Sequence, residues 1–148
     1  MKRSGYIRRR SNKPRRQLEA KLDKLWQTHV KSRAAGKCEK CGGSWQAAGH
    51  HMIKRAHKWH RHEAQNGVYL CGRCHAWAEE SPDACREWLK NHDKERYEYH
   101  MLNRTERSRG PVPISTLENW RAMYETLAAM PDSAISMGEN QTDRSARG

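Results

Sequence analysis

Apolar side chains recur at Leu18, Leu22, Leu25, Trp26 and Val30, the three-and-four spacing of one helix face, and the segment closes on Lys31 and Arg33 ahead of Gly36. This predicts a first helix over residues 18–35. The pattern then shortens. Residues 37–75 offer two brief strand candidates, His50 to Ile53 and Val68 to Leu70, followed by a helix-like composition from Cys74 to Glu80, so a strand-strand-helix unit is expected. Ser81-Pro82 supplies an N-cap and a proline at the first helical position, and Ala84, Cys85, Trp88 and Leu89 form one face of the next helix. A further short helix covers Asp93 to Leu102. Beyond the linker "RSRGPVPIS", Ser115 and Glu118 have capping-box spacing before Leu117, Trp120, Tyr124 and Leu127, a last helix expected to fold back on the body.

The flanks read differently. Residues 1–16 hold eight Lys and Arg and no acid, which predicts a disordered basic arm, and residues 131–148 are small and polar, which predicts a disordered tail. Between them lies one domain, residues 17–130, with a core over 37–80 and C-terminal helices over 82–130. A chain of 148 residues with 35% hydrophobic positions buries little apolar surface, so something besides the core is expected to staple it. Twenty-nine Lys and Arg against seventeen Asp and Glu give a formal charge of +12, which favours a polyanionic partner, DNA or RNA. No apolar run approaches the roughly 20 residues that cross a bilayer, so no membrane association is expected. The basic N-terminus precedes no hydrophobic stretch, unlike a secretory signal. A reducing, cytoplasmic setting is therefore expected, in which cysteine pairs read first as metal ligands.

Two such pairs are present, Cys38-x-x-Cys41 and Cys71-x-x-Cys74, separated by 29 residues. Each knuckle can present two thiolates to one tetrahedral ion, and soft sulfur donors select zinc over Mg²⁺ or Ca²⁺. Gly42 and Gly72 ease the tight turns this needs. A redox Cys-x-x-Cys would require a strand-to-helix setting that neither pair has in convincing form. Cys85 reads as a buried helix thiol.

Six histidines fall within residues 48–77, and zinc alone explains neither His50-His51 nor His75. His50 and His51 occupy the first strand, where adjacent side chains point to opposite faces, so one can bind an ion while the other takes a proton from water. The assignment is His50 and His75 as ligands of a catalytic metal and His51 as general base, with Glu79, one helical turn beyond His75, as third ligand. Asn66-Gly67 favours a tight hairpin turn and is also read as an amide bonded across the loop, which would fix the strand that carries His51; the two readings are compatible. Lys54, Arg55, Lys58 and Arg61, with His57, His60 and His62, are read as a cationic loop facing DNA phosphates. Trp59 is a candidate base-stacking platform or a packing residue.

The segments "CEKC", "GHHMIKR" and "NGVYLCGRCH" resemble the HNH endonucleases of the ββα-metal (His-Me finger) type, in the subgroup with a four-cysteine zinc site. A looser resemblance, to phage recombination nucleases of the NinG (Rap) kind, extends over most of the chain: the basic start "MKRSGYIRRRSNKPRRQLEAKLDKLW", the core "AGHHMIKRAHKW" followed by "CGRCH", then "CREWLKNHDKERYEYHMLNR" and "ISTLENWRAMYETL". The resemblance implies an α+β fold with a small zinc-stapled ββα-metal core flanked by helices. It also implies a structural Zn²⁺, and a catalytic divalent ion (Mg²⁺, Mn²⁺, Ni²⁺ or Zn²⁺) with His51 and Asn66 as catalytic residues. The implied activity is DNA hydrolysis to 5′-phosphate and 3′-hydroxyl ends, in a phage or prophage setting, with phage recombination or packaging proteins as further partners. NinG-like chains carry one histidine after the glycine where this chain has two, which leaves His50 and His51 both open as the base. A second reading of the same cysteines and basic surface is a non-catalytic zinc-ribbon module that binds nucleic acid.

Overall fold

The first helix, α1 (Lys13–Arg33), begins five residues before Leu18 and buries Leu22, Trp26 and Val30 on one face. The computed structural model describes residues 12–107 and 109–131. The expected basic arm is therefore corrected over Lys13 to Arg16, which are helical, while residues 1–11 and 132–148 of the expected arm and tail lie outside the described residues. Pro14 sits in the first turn, where its fixed φ suits a helix start and its missing N–H costs nothing. Arg15 ties that turn down, pairing with Glu19 at 3.5 Å and donating to the Val112 carbonyl at 2.5 Å.

Two four-residue strands, β1 (Ala48–His51) and β2 (Gly67–Leu70), pair antiparallel with His50 opposite Val68 and His51 opposite Gly67. The connection between them ends in a 3₁₀ turn, Ala64–Asn66, so the expected tight Asn66-Gly67 hairpin does not form. Four helices follow: α2 (Gly72–Glu80), α3 (Pro82–His92), α4 (Lys94–Asn103) and α5 (Ile114–Ala129). The fold is thus a small α+β arrangement of five helices and a two-stranded sheet among the described residues. None of those helices is long and apolar enough to cross a membrane. The Ser115–Glu118 capping box is also corrected: Pro113 occupies the N-cap of α5, and its carbonyl accepts from Thr116 and Leu117 at 3.1 and 3.2 Å.

Side chains alternate along β2, and the two apolar clusters follow that alternation. Val68 and Leu70 join Cys38, Cys74, Cys85 and Leu89 on the side of α2 and α3. Tyr69 joins Leu22, Trp26, Val30, Leu117 and Tyr124 on the side of α1 and α5. A two-stranded sheet this short is marginal alone and has two free edges. Both edges are covered. At Gly49 of β1 the Gln27 side chain accepts from the backbone N–H at 2.7 Å and donates to the carbonyl at 3.2 Å. At Tyr69 of β2 the Glu39 carboxylate accepts the N–H at 2.6 Å, and the Glu39 N–H donates to the carbonyl at 2.8 Å.

Candidate metal centre and cleft

Cys38 and Cys41 lie on a turn closed by bonds from Gly42 N–H to the Cys38 carbonyl (2.8 Å) and from Cys38 N–H to the Gly43 carbonyl (2.7 Å). Gly42 has φ +79°, a conformation that side-chain-bearing residues rarely adopt. Cys71 caps α2 directly after β2, and its sulfur accepts the Cys74 N–H at 3.5 Å. Contrary to the expectation from sequence, this pair does have a strand-to-helix setting; it is the approach of Cys38 and Cys41 that favours a metal over a redox pair. The four Sγ atoms lie within 4.8 Å of one another, with Cys41 and Cys71 3.6 Å apart. A zinc–sulfur distance of about 2.3 Å implies sulfur–sulfur separations of about 3.8 Å in a tetrahedron. The donor set and its spacing therefore fit zinc, and the cluster could hold one. Cys85 is buried as expected, with its thiol directed at the Met52 sulfur at 3.8 Å, and burial pushes it up to about 11.

The two strand histidines face opposite ways. His50 shares the face of Val68 and meets α2, where its ring stands edge-on to His75 with centroids 4.7 Å apart. Glu79, a turn beyond His75, brings Oε1 to 3.7 Å from His50 Nδ1 and 3.6 Å from His75 Nε2. These three predicted ligands all offer atoms within 4.8 Å of one another, a mixed nitrogen and oxygen set suited to a borderline divalent cation. Burial, then the nearby His75, lowers His50 to about 4, so its imidazole is neutral and able to ligate near neutral pH.

His51 shares the face of Gly67 and meets α1, where it stacks on Trp26 with centroids 3.9 Å apart and planes 8° from parallel. Its Nε2 lies 2.9 Å from the Arg61 carbonyl. A carbonyl only accepts, so Nε2 carries the hydrogen, and Nδ1 keeps its lone pair with no hydrogen bond to a described residue. Burial lowers His51 to about 4 despite that bond, which leaves the ring neutral near pH 7. Asn66, fully buried, performs the cross-loop role: Oδ1 accepts from Ile53 N–H at 2.6 Å, and Nδ2 donates to the Ile53 and His60 carbonyls at 2.9 and 3.0 Å.

His50, His51, His75 and Glu79 converge with Trp26 on one cleft of about 980 Å³ along the β1 edge, walled by α1, β1 and α2 and including Lys54 and Arg55 but not Asn66. The rest of the expected cationic loop is arranged differently. Arg61 is spent on Asp23, donating from Nε at 2.9 Å and Nη2 at 2.5 Å, and is not an open phosphate ligand. His62 and His60 are buried: His62 donates to Asp23 at 2.9 Å, while His60 donates to Glu106 at 2.5 Å and accepts from the Tyr99 hydroxyl at 2.6 Å. Lys58 is exposed but lines a neighbouring groove. Trp59 offers no open platform, because its indole N–H donates to the Gly110 carbonyl at 3.1 Å and the Arg109 guanidinium lies 4.5 Å over its ring.

Three residues of this site escaped sequence reasoning. Asp23 anchors Arg61 and His62, and so the backbone whose carbonyl orients His51. Burial pushes its carboxyl up, but the bonds from His62 and Arg61 outweigh that and hold it well below the usual carboxylate range. Trp26 supplies the stacking surface, and Gln27 covers the β1 edge. The available signal was their register: Asp23, Trp26, Gln27 and Val30 stand at i, i+3, i+4 and i+7, which places two polar residues on the apolar face of α1. Comparison of the chain with protein-family models, curated proteins and solved structures finds no significant match.

Proposed function

We propose that the protein is a metal-dependent HNH-type endonuclease that hydrolyses DNA phosphodiester bonds, on a ββα-metal core formed by β1, β2 and α2 and stapled by zinc at the four cysteines. The observation that carries this reading is the convergence of His50, His75 and Glu79 beside a neutral His51 whose Nδ1 is open, all in one cleft. The resemblance of the flanking helices to phage recombination nucleases supports a phage or prophage role, acting on DNA in the host cytoplasm.

In the reaction so inferred, Lys54 and Arg55 hold backbone phosphates beside the scissile bond; Arg55 makes one bond to Asp23, from Nη2 at 3.1 Å, but unlike Arg61 its guanidinium is exposed and keeps its other donors for phosphate. His50, His75 and Glu79 would hold a divalent ion, which when bound would supply Lewis-acid charge beside the scissile phosphate. His51 Nδ1 takes a proton from water as its oxygen bonds to phosphorus, the bond from phosphorus to the 3′ oxygen breaks, and the departing oxygen takes a proton from solvent water, leaving 5′-phosphate and 3′-hydroxyl ends. The Arg61 carbonyl and the Trp26 ring hold the imidazole in the tautomer and plane this step needs. Asn66 acts on the loop, not on the substrate.

Supercoiled plasmid tests the proposal. Wild-type protein is expected to nick it with Mg²⁺, Mn²⁺ or Ni²⁺, and His51→Ala to slow nicking by about 10² to 10⁴-fold while retaining its circular dichroism and DNA binding. A His51→Ala protein that cuts like wild type refutes the base assignment. A wild-type protein that retards plasmid but nicks it with none of the ions leaves the zinc-ribbon binder in its place.

A further inference from the structure

A second groove, of about 180 Å³, lies between the β1–β2 connection and the segment that follows α4, walled by His57, Lys58, Trp59, Glu106, Arg107 and Arg109. Ala56 lines both this groove and the cleft, so the two depressions adjoin at this residue. We infer that they form one track along which a nucleic-acid backbone leaves the cleft at Ala56 and is gripped a second time by Lys58 and Arg107. This rests on the nucleic-acid reading above and adds to it a second, sequence-independent contact outside the cleft.

The charge balance along the track supports a polyanion. Apart from Glu79, its acids are Asp23 and Glu106. Asp23 is taken up by Arg61, His62 and Arg55. Glu106 is taken up by His60 and Arg109, at 2.5 and 2.7 Å. Lys24, Lys54, Lys58 and Arg107 are exposed on the walls and form no ion pair with a described residue. The acids are thus neutralised from within and the outward-facing cations are not, an arrangement that attracts phosphates. The engaged Trp59 ring leaves base stacking no surface there, so the grip is on the backbone and carries no base readout.

The test is fluorescence anisotropy of the full chain, with no divalent ion added, on labelled duplexes of about 8 and about 24 base pairs, the shorter spanning only ~27 Å of helix axis. Arg107→Glu is expected to raise Kd for the long duplex on the order of tenfold at 0.1 M salt and to flatten its dependence of log K on log salt by about one, with under about twofold change on the short one. Lys90→Glu, on an exposed position of α3 away from both depressions, makes the same change in net charge and is expected to move neither. Equal loss on both duplexes, or loss on neither, overturns the track. Length-dependent binding without any cleavage overturns the nuclease reading and leaves the track standing, whereas cleavage without length dependence does the reverse.

Discussion

Replacing Asn66 with alanine would strip three partners from buried backbone at once: the N–H and the carbonyl of Ile53 and the carbonyl of His60. An unsatisfied buried polar group costs about 1–3 kcal/mol, so Asn66→Ala is expected to lower unfolding free energy by about 3 kcal/mol or more, measured by urea denaturation. Asn66→Asp should be no better, because it keeps the acceptor for Ile53 N–H but turns an oxygen toward two carbonyls. A midpoint for Asn66→Ala within about 0.5 kcal/mol of wild type would show that the amide is dispensable. At this scale the sequence was legible where the chemistry is local. His75 and Glu79 follow from helical spacing, and the opposed faces of His50 and His51 follow from strand alternation. It was illegible where a partner comes from far away. His62 and His60 look like open cations until Asp23 and Glu106, 39 and 46 residues distant, are seen to bind them.

The helix α1 works as the back wall of the cleft, and its approach to the sheet depends on two glycines. A Cβ on Gly67 would stand 2.6 Å from Val30 Cγ2 and 2.7 Å from Trp26 Cζ2, and one on Gly49 would stand 2.7 Å from Trp26 Cζ3. Trp26 is held against withdrawal by its stack on His51 and by donation of its indole N–H to the Glu63 carbonyl at 2.9 Å. Gly67→Ala should therefore push helix and sheet apart, cost about 1–3 kcal/mol in thermal unfolding, and alter Trp fluorescence by loosening the His51 stack. An unchanged melting temperature and emission would mean that the interface has slack the distances deny. The apolar stripe of α1 could be read in advance, but its beginning could not. Composition treats the cations of residues 13–16 as solvated, and nothing local reveals that Arg15 has Val112 to bind. The same holds for α5, where a capping-box spacing loses to Pro113, whose φ is already set for a helix start.

Seen whole, the molecule has two small apolar clusters on opposite faces of a sheet only four residues long, and the cysteine cluster lies where failure would spread furthest. Glu39 sits inside the Cys38–Cys41 knuckle. Beyond pairing with Tyr69 of β2, its carboxylate takes two bonds from the buried Arg96 of α4, at 2.6 and 3.1 Å. Cys71 and Cys74 open α2, and His75 is the next residue along. If the four sulfurs hold zinc, its loss would therefore free the β2 edge, unseat α4 and release His75, a proposed ligand of the cleft, together. Structural zinc sites supply about 10–16 kcal/mol at neutral pH, as much as the roughly 5–15 kcal/mol that holds a typical domain folded. One tightly held zinc per chain is the expected stoichiometry by elemental analysis. Cys41→Ser, or stripping with a strong chelator, should abolish the near-ultraviolet dichroism of the packed tryptophans and the cooperative thermal transition. His75→Ala separates the two ion sites, since it should leave zinc content and melting intact while removing metal-dependent nicking. A metal-free protein that keeps its dichroism and melting temperature would show that apolar burial alone holds these short strands, and the four sulfurs would then need another explanation.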